Sequence, residues 1–346
     1  MIVLSLFDGI ACGSLALERI GIKPEMYFAS EIEPYAMKVA KKNYPDIVEL
    51  GDVRKVRYEG GILFAADGTP FIVGKIDLVI GGSPCTNFSS VGYANGMTTG
   101  NVEVTSFEQY VALKESGAKF EGQSFLFWEY VRMLREVKPE HFLLENVVMA
   151  KKWEKIITDA VGVEPVKINS SLLSAQNRPR LYWTNVPEVS VPKDAGIKLD
   201  DILDPKADDK DVAYTLTVQR CWPRLIEKYG YVPERFNAYN AAKLTDKACA
   251  LSRGSMVTSS CATLLFVPRA DGVHEVKDGM LDGKWQTELK DGRYNLRKLT
   301  ILECERLQTL PDGYTDGVDV PPQKRNEMIG NGWTAKVIEH LFKGLK

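Results

Sequence analysis

The chain has 346 residues, 45% of them hydrophobic and 26% charged, with a formal net charge of −2. This composition is typical of a globular protein with one large domain and a smaller second lobe, and it indicates no class of partner. Six scattered cysteines without a Cys-x-x-Cys pair and only three histidines argue against a disulfide framework and a structural zinc site, so we predict no metal and a reducing cytoplasm. No stretch approaches a membrane span, and residues 2–6 are too short for a signal peptide.

The first 185 residues alternate short apolar runs with amphipathic stretches, a pattern typical of βα units and a mostly parallel sheet. Strands are predicted at 2–6, 26–30, 47–50, 76–80, 141–145 and 166–169. Helices are predicted at 14–20, 34–43 and 124–137, the first ending at Gly21. Residues 62–73 alternate around Asp67-Gly68 and predict an inserted β-hairpin.

After about residue 187 the sequence becomes polar, with Asp-Gly turns at 271, 278, 282 and 291. Short strands between such turns predict a β-rich lobe with little helix. A helix after residue 297, capped by Thr300 and Glu303, and a last helix after Trp333 return the chain to its first domain. We therefore predict a first domain at 1–185, a second lobe at 186–295, and a return to the first domain at 296–346.

Three predicted strands end in residues that suit a nucleoside ligand. The glycine loop of residues 7–13 follows the first strand, Glu31 closes the second, and Asp52 follows the third. The carboxyl ends of parallel strands meet in one crevice, where an acid about twenty residues after a glycine loop commonly binds ribose hydroxyls. A tight turn for the loop, and helix capping or a solvated charge for each acid, remain the alternatives.

Two further strands bring a thiol and an acid to the same edge. Cys85 lies in the Gly/Pro turn after residues 76–80, and Glu145 closes the strand that begins at 141. A cysteine in such a turn is more exposed than the usual buried one, so it is a candidate nucleophile. A neighbouring carboxyl could stabilise the charge that thiolate addition produces.

These residues belong to eight motifs that occur in the same order in the DNA cytosine-5 methyltransferases, which the chain resembles from end to end. The wording of several motifs is closest to the vertebrate de novo enzymes and to bacterial and phage relatives. The motifs are the loop 7–13, Glu31, Gly51-Asp52-Val53, Pro84-Cys85, Glu145-Asn146-Val147, Gln176-x-Arg178-x-Arg180, Arg297 to Thr300 with Glu303 to Gln308, and Gly330-Asn331-Gly332-Trp333.

The resemblance implies a Rossmann-like, S-adenosylmethionine-dependent methyltransferase domain, with helices on both faces of its sheet, and a smaller β-rich target-recognition lobe. In that family Glu31 would hold the ribose, Asp52 and Val53 the adenine, and residues 331–333 the methionine end. The expected cofactor-binding residues are Phe7, Asp8, Gly9, Ile10, Ala11, Cys12, Glu31, Ile32, Asp52, Val53, Pro84, Asn331, Gly332 and Trp333.

By the same resemblance, Cys85 would add to carbon-6 of cytosine and Glu145 would contact ring nitrogen 3 and the exocyclic amine. Arg180, with Arg178 beside it, would contact the base carbonyl oxygen and support the catalytic loop; a surface pair is the alternative. The target base must leave the duplex for this chemistry. Residues 86–101 are expected to form a loop that closes behind it, and an apparent insertion at 94–123 has no assigned role.

Residues 213–269 carry eight basic residues against three acidic ones, a local excess of five positive charges. This excess suits phosphate contact, with an ordinary solvated surface as the alternative. The candidate DNA contacts are Ser89, Arg220, Arg224, Arg235 and Arg253.

The expected partner is double-stranded DNA, with a cognate restriction endonuclease where the enzyme belongs to a restriction-modification system. A monomer in the cytoplasm of a bacterial or phage-infected cell is expected, with no membrane contact. An RNA cytosine-5 methyltransferase acting on transfer RNA, a catalytically inactive DNA-binding relative and an altered alkyl donor remain the alternatives. Intact Cys85, Glu145 and Arg180 argue against the inactive relative.

Overall fold

The computed structural model describes residues 1–84, 97–99, 102–120, 122–207, 216–251 and 263–346. They form two compact units: unit 1 holds Met1–Asn169, Pro179–Lys193 and Ala335–Lys346, and unit 2 holds Ser170–Arg178 and Asp194–Thr334.

The strands in chain order are β1 (Ile2–Leu6), β2 (Met26–Ser30), β3 (Val48–Glu49), β4 (Arg57–Glu59), β5 (Ile62–Phe64), β6 (Pro70–Ile72), β7 (Leu78–Gly82), β8 (Thr98–Thr99), β9 (Val102–Glu103), β10 (His141–Val147), β11 (Val166–Asn169), β12 (Gln176–Asn177), β13 (Pro179–Thr184), β14 (Arg235–Asn237), β15 (Ala242–Lys243), β16 (Ala248–Cys249), β17 (Thr263–Pro268), β18 (His274–Lys277), β19 (Met280–Leu281), β20 (Trp285–Gln286) and β21 (Gly292–Lys298). The helices are α1 (Cys12–Arg19), α2 (Pro34–Asn43), α3 (Phe107–Glu115), α4 (Leu126–Val137), α5 (Lys151–Val161), α6 (Leu216–Tyr229), α7 (Ile301–Leu307), α8 (Pro322–Asn331) and α9 (Ala335–Leu341), with short 3-10 turns at Ser170–Leu172, Leu199–Ile202 and Phe342–Leu345.

Unit 1 is built on a mixed sheet with the strand order β11-β13-β10-β7-β1-β2-β3. Strands β3, β2, β1, β7 and β10 run parallel, and β13 runs antiparallel to both of its neighbours. The interior strand β1 is buried along most of its length, as expected for a sheet covered on both faces. The predicted mostly parallel α/β sheet is confirmed, and β1, β2, β11 and α2 have the predicted bounds.

Local signals explain several boundaries in unit 1. Gly21 adopts a φ of 77° just after α1, and its N–H bonds to the Glu18 carbonyl at 2.8 Å, so the predicted helix end is confirmed. The predicted hairpin is also confirmed as β5 and β6, and β4 extends it into an antiparallel meander. Helix α3 was not predicted. It lies in the apparent insertion and is capped at its N-terminus by Ser106, whose hydroxyl accepts the Gln109 N–H.

Unit 2 contains an antiparallel sheet with the order β15-β14-β17-β21-β18-β19-β20. Asp278-Gly279 and Asp282-Gly283 all have positive φ between 52° and 74° at the β18–β19 and β19–β20 turns, as the Asp-Gly pattern predicted. The predicted capping box of Thr300 and Glu303 is confirmed at the start of α7.

The expectation of little helix in this lobe missed α6. Pro223 lies inside this helix, where a proline normally ends a helix. Cys221, Trp222 and Leu225 are buried in a core with strand residues such as Phe236 and Phe266, and this packing outweighs the local cost of the proline. Unit 2 also includes α7 and α8, which the sequence pattern assigned to the returning catalytic segment, so the functional domain boundaries remain a prediction.

Candidate active site

The glycine loop and Glu31 lie together because β1 and β2 are parallel and Leu6 pairs with Ser30. Phe7, Gly9 and Ala11 adopt positive φ values of 58°, 63° and 63°, which makes the loop a sharp turn into α1. One Glu31 carboxylate oxygen accepts the Gly9 N–H at 2.8 Å. The other accepts the N–H groups of Ile32 and Glu33 at 2.7 and 2.9 Å. The carboxylate is thereby fixed against the loop.

Asp8 faces inward from the same loop. Its carboxylate oxygen Oδ1 accepts the Tyr27 hydroxyl at 2.7 Å, and its buried Oδ2 has no hydrogen-bond partner among the described residues. Burial raises the pKa of Asp8 to about 6. Burial also raises the pKa of Glu49 at the end of β3 to about 7, and the charge of Asp8 adds to that effect. Two carboxyl groups that ionise less readily than usual therefore lie under the predicted cofactor crevice.

Asp52 is an ion-pair partner of its neighbour Arg54. The Arg54 Nε lies 3.0 and 2.9 Å from the two carboxylate oxygens of Asp52, and its Nη2 lies 2.5 Å from Oδ2. Hydrogen bonding to Arg54 lowers the pKa of the Asp52 carboxyl, so this acid stays ionised. Arg54 was not anticipated from the sequence as a partner. Nearby, Ile32 is 62% exposed and offers an apolar face next to Glu31.

Glu145 and Arg180 form an ion pair on neighbouring strands. In the antiparallel ladder of β10 and β13, Glu145 pairs with Tyr182 and Val147 with Arg180, so the two charged side chains are diagonal neighbours on one face. Arg180 Nε lies 2.9 Å from Glu145 Oε1, and the side chains are only 15% and 12% exposed. The acid and the arginine of two separate motifs therefore lie together at this edge of the sheet.

The chain segment that precedes Cys85 lies next to Glu145. Strands β7 and β10 are parallel, with Gly82 paired to Glu145, and the Asn146 amide donates to the Ser83 hydroxyl at 3.1 Å. Pro84 therefore lies at this edge of the sheet, whereas Cys85 and Ser89 lie outside the described residues.

Arg178 differs from the expectation that it contacts the target base. It is 4% exposed and donates to the backbone carbonyls of Leu251, Gly330 and Gly332 at 2.8, 3.1 and 3.0 Å. Gln308 donates to the Gly332 carbonyl as well, at 3.2 Å. These contacts give Arg178 a role in holding the segment around Asn331, because its donors already point at backbone acceptors. The exposed Asn331 and the partly exposed Gly332 and Trp333 belong to unit 2.

The predicted DNA contacts differ from one another in their surroundings. Arg220 is exposed, and the exposed Arg224 donates to the Tyr239 carbonyl at 2.8 Å. Arg235 is only 16% exposed as a side chain and lies against Asp200, with Nη2 to Oδ1 at 2.5 Å. Its charge is already balanced by this carboxylate, which argues against the predicted phosphate contact. Arg253 lies outside the described residues.

The part of the chain that the structure describes forms neither a metal centre nor a membrane span. Within the described ranges, no group of three His, Cys, Asp or Glu side chains is placed to bind a metal ion. In the same ranges no helix has the length and apolar character needed to cross a membrane.

The mixed sheet of unit 1 and the β-rich unit 2 define the class: a Rossmann-like methyltransferase fold with a second, β-rich lobe. Residues 1–160 and 174–346 match the model of the C-5 cytosine-specific DNA methylase family. The chain therefore belongs to this family, whose members use S-adenosylmethionine.

Known relatives agree with that assignment. The chain is 29% identical over 205 residues to the orphan methyltransferase M.Rho11sI of Bacillus phage rho11s, covering 56% of this chain and 34% of that protein. It is 30% identical over 199 residues to the orphan methyltransferase M.SPRI of Bacillus phage SPR, covering 54% and 38%. The alignments thus span little more than a third of these relatives.

Two solved structures share the fold. The Entamoeba histolytica methyltransferase EhMeth superposes with a TM-score of 0.62 at 14% identity, covering 100% of this chain and 99% of that one. The S. pombe Dnmt2 methyltransferase superposes with a TM-score of 0.58 at 16% identity, covering 100% and 97%. At such identities the likeness shows the fold alone.

Proposed function

We propose that the protein is a DNA (cytosine-5) methyltransferase that attacks a flipped-out cytosine through Cys85. The observation that carries the proposal is the largely buried ion pair of Glu145 and Arg180, 2.9 Å apart, at the edge of the sheet where the chain leads into Cys85. Membership of the C-5 cytosine family supplies the reaction type.

The residues of unit 1 fit S-adenosylmethionine as the cofactor. The Glu31 carboxylate is fixed against the Gly9 N–H and can accept ribose hydroxyl groups. Asp52 is held ionised by Arg54 and can accept the adenine amine, while the exposed Ile32 offers an apolar surface to the base. In unit 2, Asn331 to Trp333 would bind the methionine end. When bound, the cofactor supplies an electrophilic methyl group.

The proposed chemistry assigns a part of the reaction to each catalytic side chain. The Cys85 thiolate forms a bond to carbon-6 of cytosine, and the displaced electron pair makes carbon-5 nucleophilic. Glu145 holds a proton at ring nitrogen 3 and accepts from the exocyclic amine as charge develops on the ring. Arg180 fixes the Glu145 carboxyl and donates to the base carbonyl oxygen. After methylation, loss of the carbon-5 proton returns the electron pair to the ring, and the Cys85–carbon-6 bond breaks.

Inside a stacked duplex, carbon-6 is out of reach of a side chain, so the cytosine must rotate out of the helix. Arg220 and Arg224 in unit 2 are the described side chains proposed to contact phosphates. Arg178 supports the Asn331 segment in this scheme and does not contact the base.

Bisulfite sequencing tests the proposal. Plasmid DNA would be isolated from a methylation-free bacterial host that expresses the wild type, with Cys85→Ala in parallel. We expect protected cytosines in one short sequence context with the wild type and none with the variant. Absence of protection with soluble wild-type protein would contradict DNA as the substrate, and methylation of host RNA in the same cells would then favour an RNA cytosine-5 methyltransferase.

A further inference from the structure

A network of charged side chains with a buried centre lies behind the proposed adenine site, outside the catalytic residues described above. Its centre is Glu129 on α4, which is fully buried. One carboxylate oxygen of Glu129 accepts the Tyr110 hydroxyl and the Lys114 ammonium, the latter at 2.5 Å. The other accepts Arg132 Nε at 2.6 Å. Tyr110 and Lys114 belong to α3, so the insertion supplies two of the donors that make this buried charge tolerable.

Arg132 carries the network to the backbone that follows β3. Its guanidinium lies between two carboxylates, because Nη1 donates to Glu136 at 2.6 Å while Nε donates to Glu129. The remaining nitrogen, Nη2, donates to the Val53 carbonyl at 2.8 Å. With a side chain only 16% exposed, the planar guanidinium is fixed in three directions.

The second accessory element joins the same network. The other carboxylate oxygen of Glu136 accepts the Tyr58 N–H of β4 at 2.9 Å. The β4–β6 meander and the α3 insertion are therefore bonded to opposite ends of one chain of charges. Of the hydrogen bonds described for Arg132, two go to side-chain carboxylates and one goes to the backbone, at the Val53 carbonyl.

Val53 adjoins Asp52, the residue proposed to bind the adenine amine. The Gly51 carbonyl accepts the Ser30 hydroxyl at 2.6 Å, and the Val53 carbonyl accepts Arg132. Asp52 is thus flanked by two peptide groups that are held by other parts of the sheet and by α4. A ligand that binds a segment fixed beforehand does not lose affinity to the ordering of that segment.

We propose that Arg132 is a positioning residue for the adenine end of the cofactor site, and that α3 braces it through Glu129. This inference rests on the proposed function, since it assumes that residues 51–53 bind the cofactor. It also gives the insertion a role, because Tyr110 and Lys114 hold Glu129, Glu129 holds Arg132, and Arg132 holds the Val53 peptide.

If the network had only a structural role, it would hold α3 against α4 without changing the affinity for the cofactor. A second contact between the same helices separates these two roles. Arg135 of α4 pairs with Glu108 of α3 at 2.9 Å and lies over the Phe107 ring at 4.2 Å. Its side chain is 49% exposed, and the contacts described for it do not include residues 51–53. Arg135→Lys is therefore a matched control for Arg132→Lys.

The experiment uses the full chain carrying Arg132→Lys, Tyr110→Phe or Arg135→Lys. Calorimetry would give the Kd for S-adenosylhomocysteine without DNA, and steady-state assays would give kcat and the KM values for S-adenosylmethionine and DNA. For Arg132→Lys we expect the Kd and the cofactor KM to rise about tenfold, because one charge-assisted hydrogen bond no longer orders the segment. We expect kcat and the KM for DNA to change by less than about twofold, since Arg132 does not touch the reacting base.

Tyr110→Phe removes only a hydroxyl group and leaves Lys114 and Arg132 bonded to Glu129, so it tests the brace even if Arg132→Lys proves unstable. We expect the cofactor Kd to rise about threefold in Tyr110→Phe and to stay within about twofold of wild type in Arg135→Lys. An unchanged cofactor Kd in both network variants would overturn the inference, as would an equal rise in Arg135→Lys. If the wild type itself bound no S-adenosylhomocysteine, the proposed function would be refuted, and this inference with it.

Discussion

Replacement of Glu145 by glutamine should slow the methyl-transfer step without weakening cofactor binding. The change keeps the shape of the side chain but removes the charge that pairs with Arg180 at 2.9 Å and the capacity to hold a proton. General acid–base groups contribute roughly 10²- to 10⁴-fold to a rate, which corresponds to about 3–5 kcal/mol in the activation barrier. We expect kcat to fall by that factor. The Kd for S-adenosylhomocysteine should change by less than about threefold, because Glu145 lies on β10 and the proposed cofactor residues of unit 1 follow β1, β2 and β3.

The assay is single-turnover transfer of a tritiated methyl group to duplex DNA. Glu140→Gln is the matched control, since Glu140 directly precedes β10 and its ion pair with Lys75 is solvated, with both side chains 59% exposed. The control should retain wild-type turnover, because a solvated pair of this kind contributes little. A Glu145→Gln enzyme within tenfold of the wild-type rate would refute the role given to this acid.

Further variants test the surrounding structure. The pKa of Asp8 is raised from 3.8 to about 6, so the folded state binds the proton more tightly and loses stability as the pH rises between these values. Asp8→Asn should therefore be more stable than wild type at pH 8, by up to about 3 kcal/mol, and similar at pH 4 in urea unfolding; a difference independent of pH would contradict this. Arg178→Lys should lower the free energy of unfolding by about 3 kcal/mol because buried carbonyls lose their donors, whereas Arg220→Lys should leave it unchanged. Equal effects of the two changes would contradict the role of Arg178 in holding the segment around Asn331. Arg235→Met should leave the salt dependence of DNA binding unchanged, while Arg220→Met should reduce its slope by about one; the reverse result would restore Arg235 as a phosphate ligand.

The parts of the fold that the sequence predicted depend on local patterns. Apolar runs placed β1 and β2 correctly and helical periodicity placed α2, because each is a signal within a few neighbouring residues. Helix α6 was missed because Pro223 opposes a helix locally, and the packing of Cys221 and Trp222 against distant strands decides the outcome.

In the candidate site, too, local patterns indicated positions in the fold, whereas contacts between distant residues were not predicted. The order of the motifs predicted that Glu31 and Asp52 would follow strands of the same sheet that Glu145 closes; Glu31 and Asp52 follow β2 and β3 of one sheet, whereas Glu145 lies within β10 of that sheet. The sequence could not predict which atoms they contact. Arg132 lies 79 residues from Val53 in the chain, and Arg178 lies 152 residues from Gly330. Such contacts follow from tertiary packing, and no local pattern indicates them.

Covalent trapping is the sharpest test of Cys85 as the nucleophile. A DNA duplex with 5-fluorocytosine at the target position would be incubated with the enzyme and S-adenosylmethionine, because the fluorine on carbon-5 cannot leave as a proton does. We expect a denaturation-resistant protein–DNA adduct that mass spectrometry maps to Cys85 and that the Cys85→Ala variant does not form. An adduct on another residue, or methyl transfer to ordinary cytosine by Cys85→Ala, would contradict the proposed mechanism.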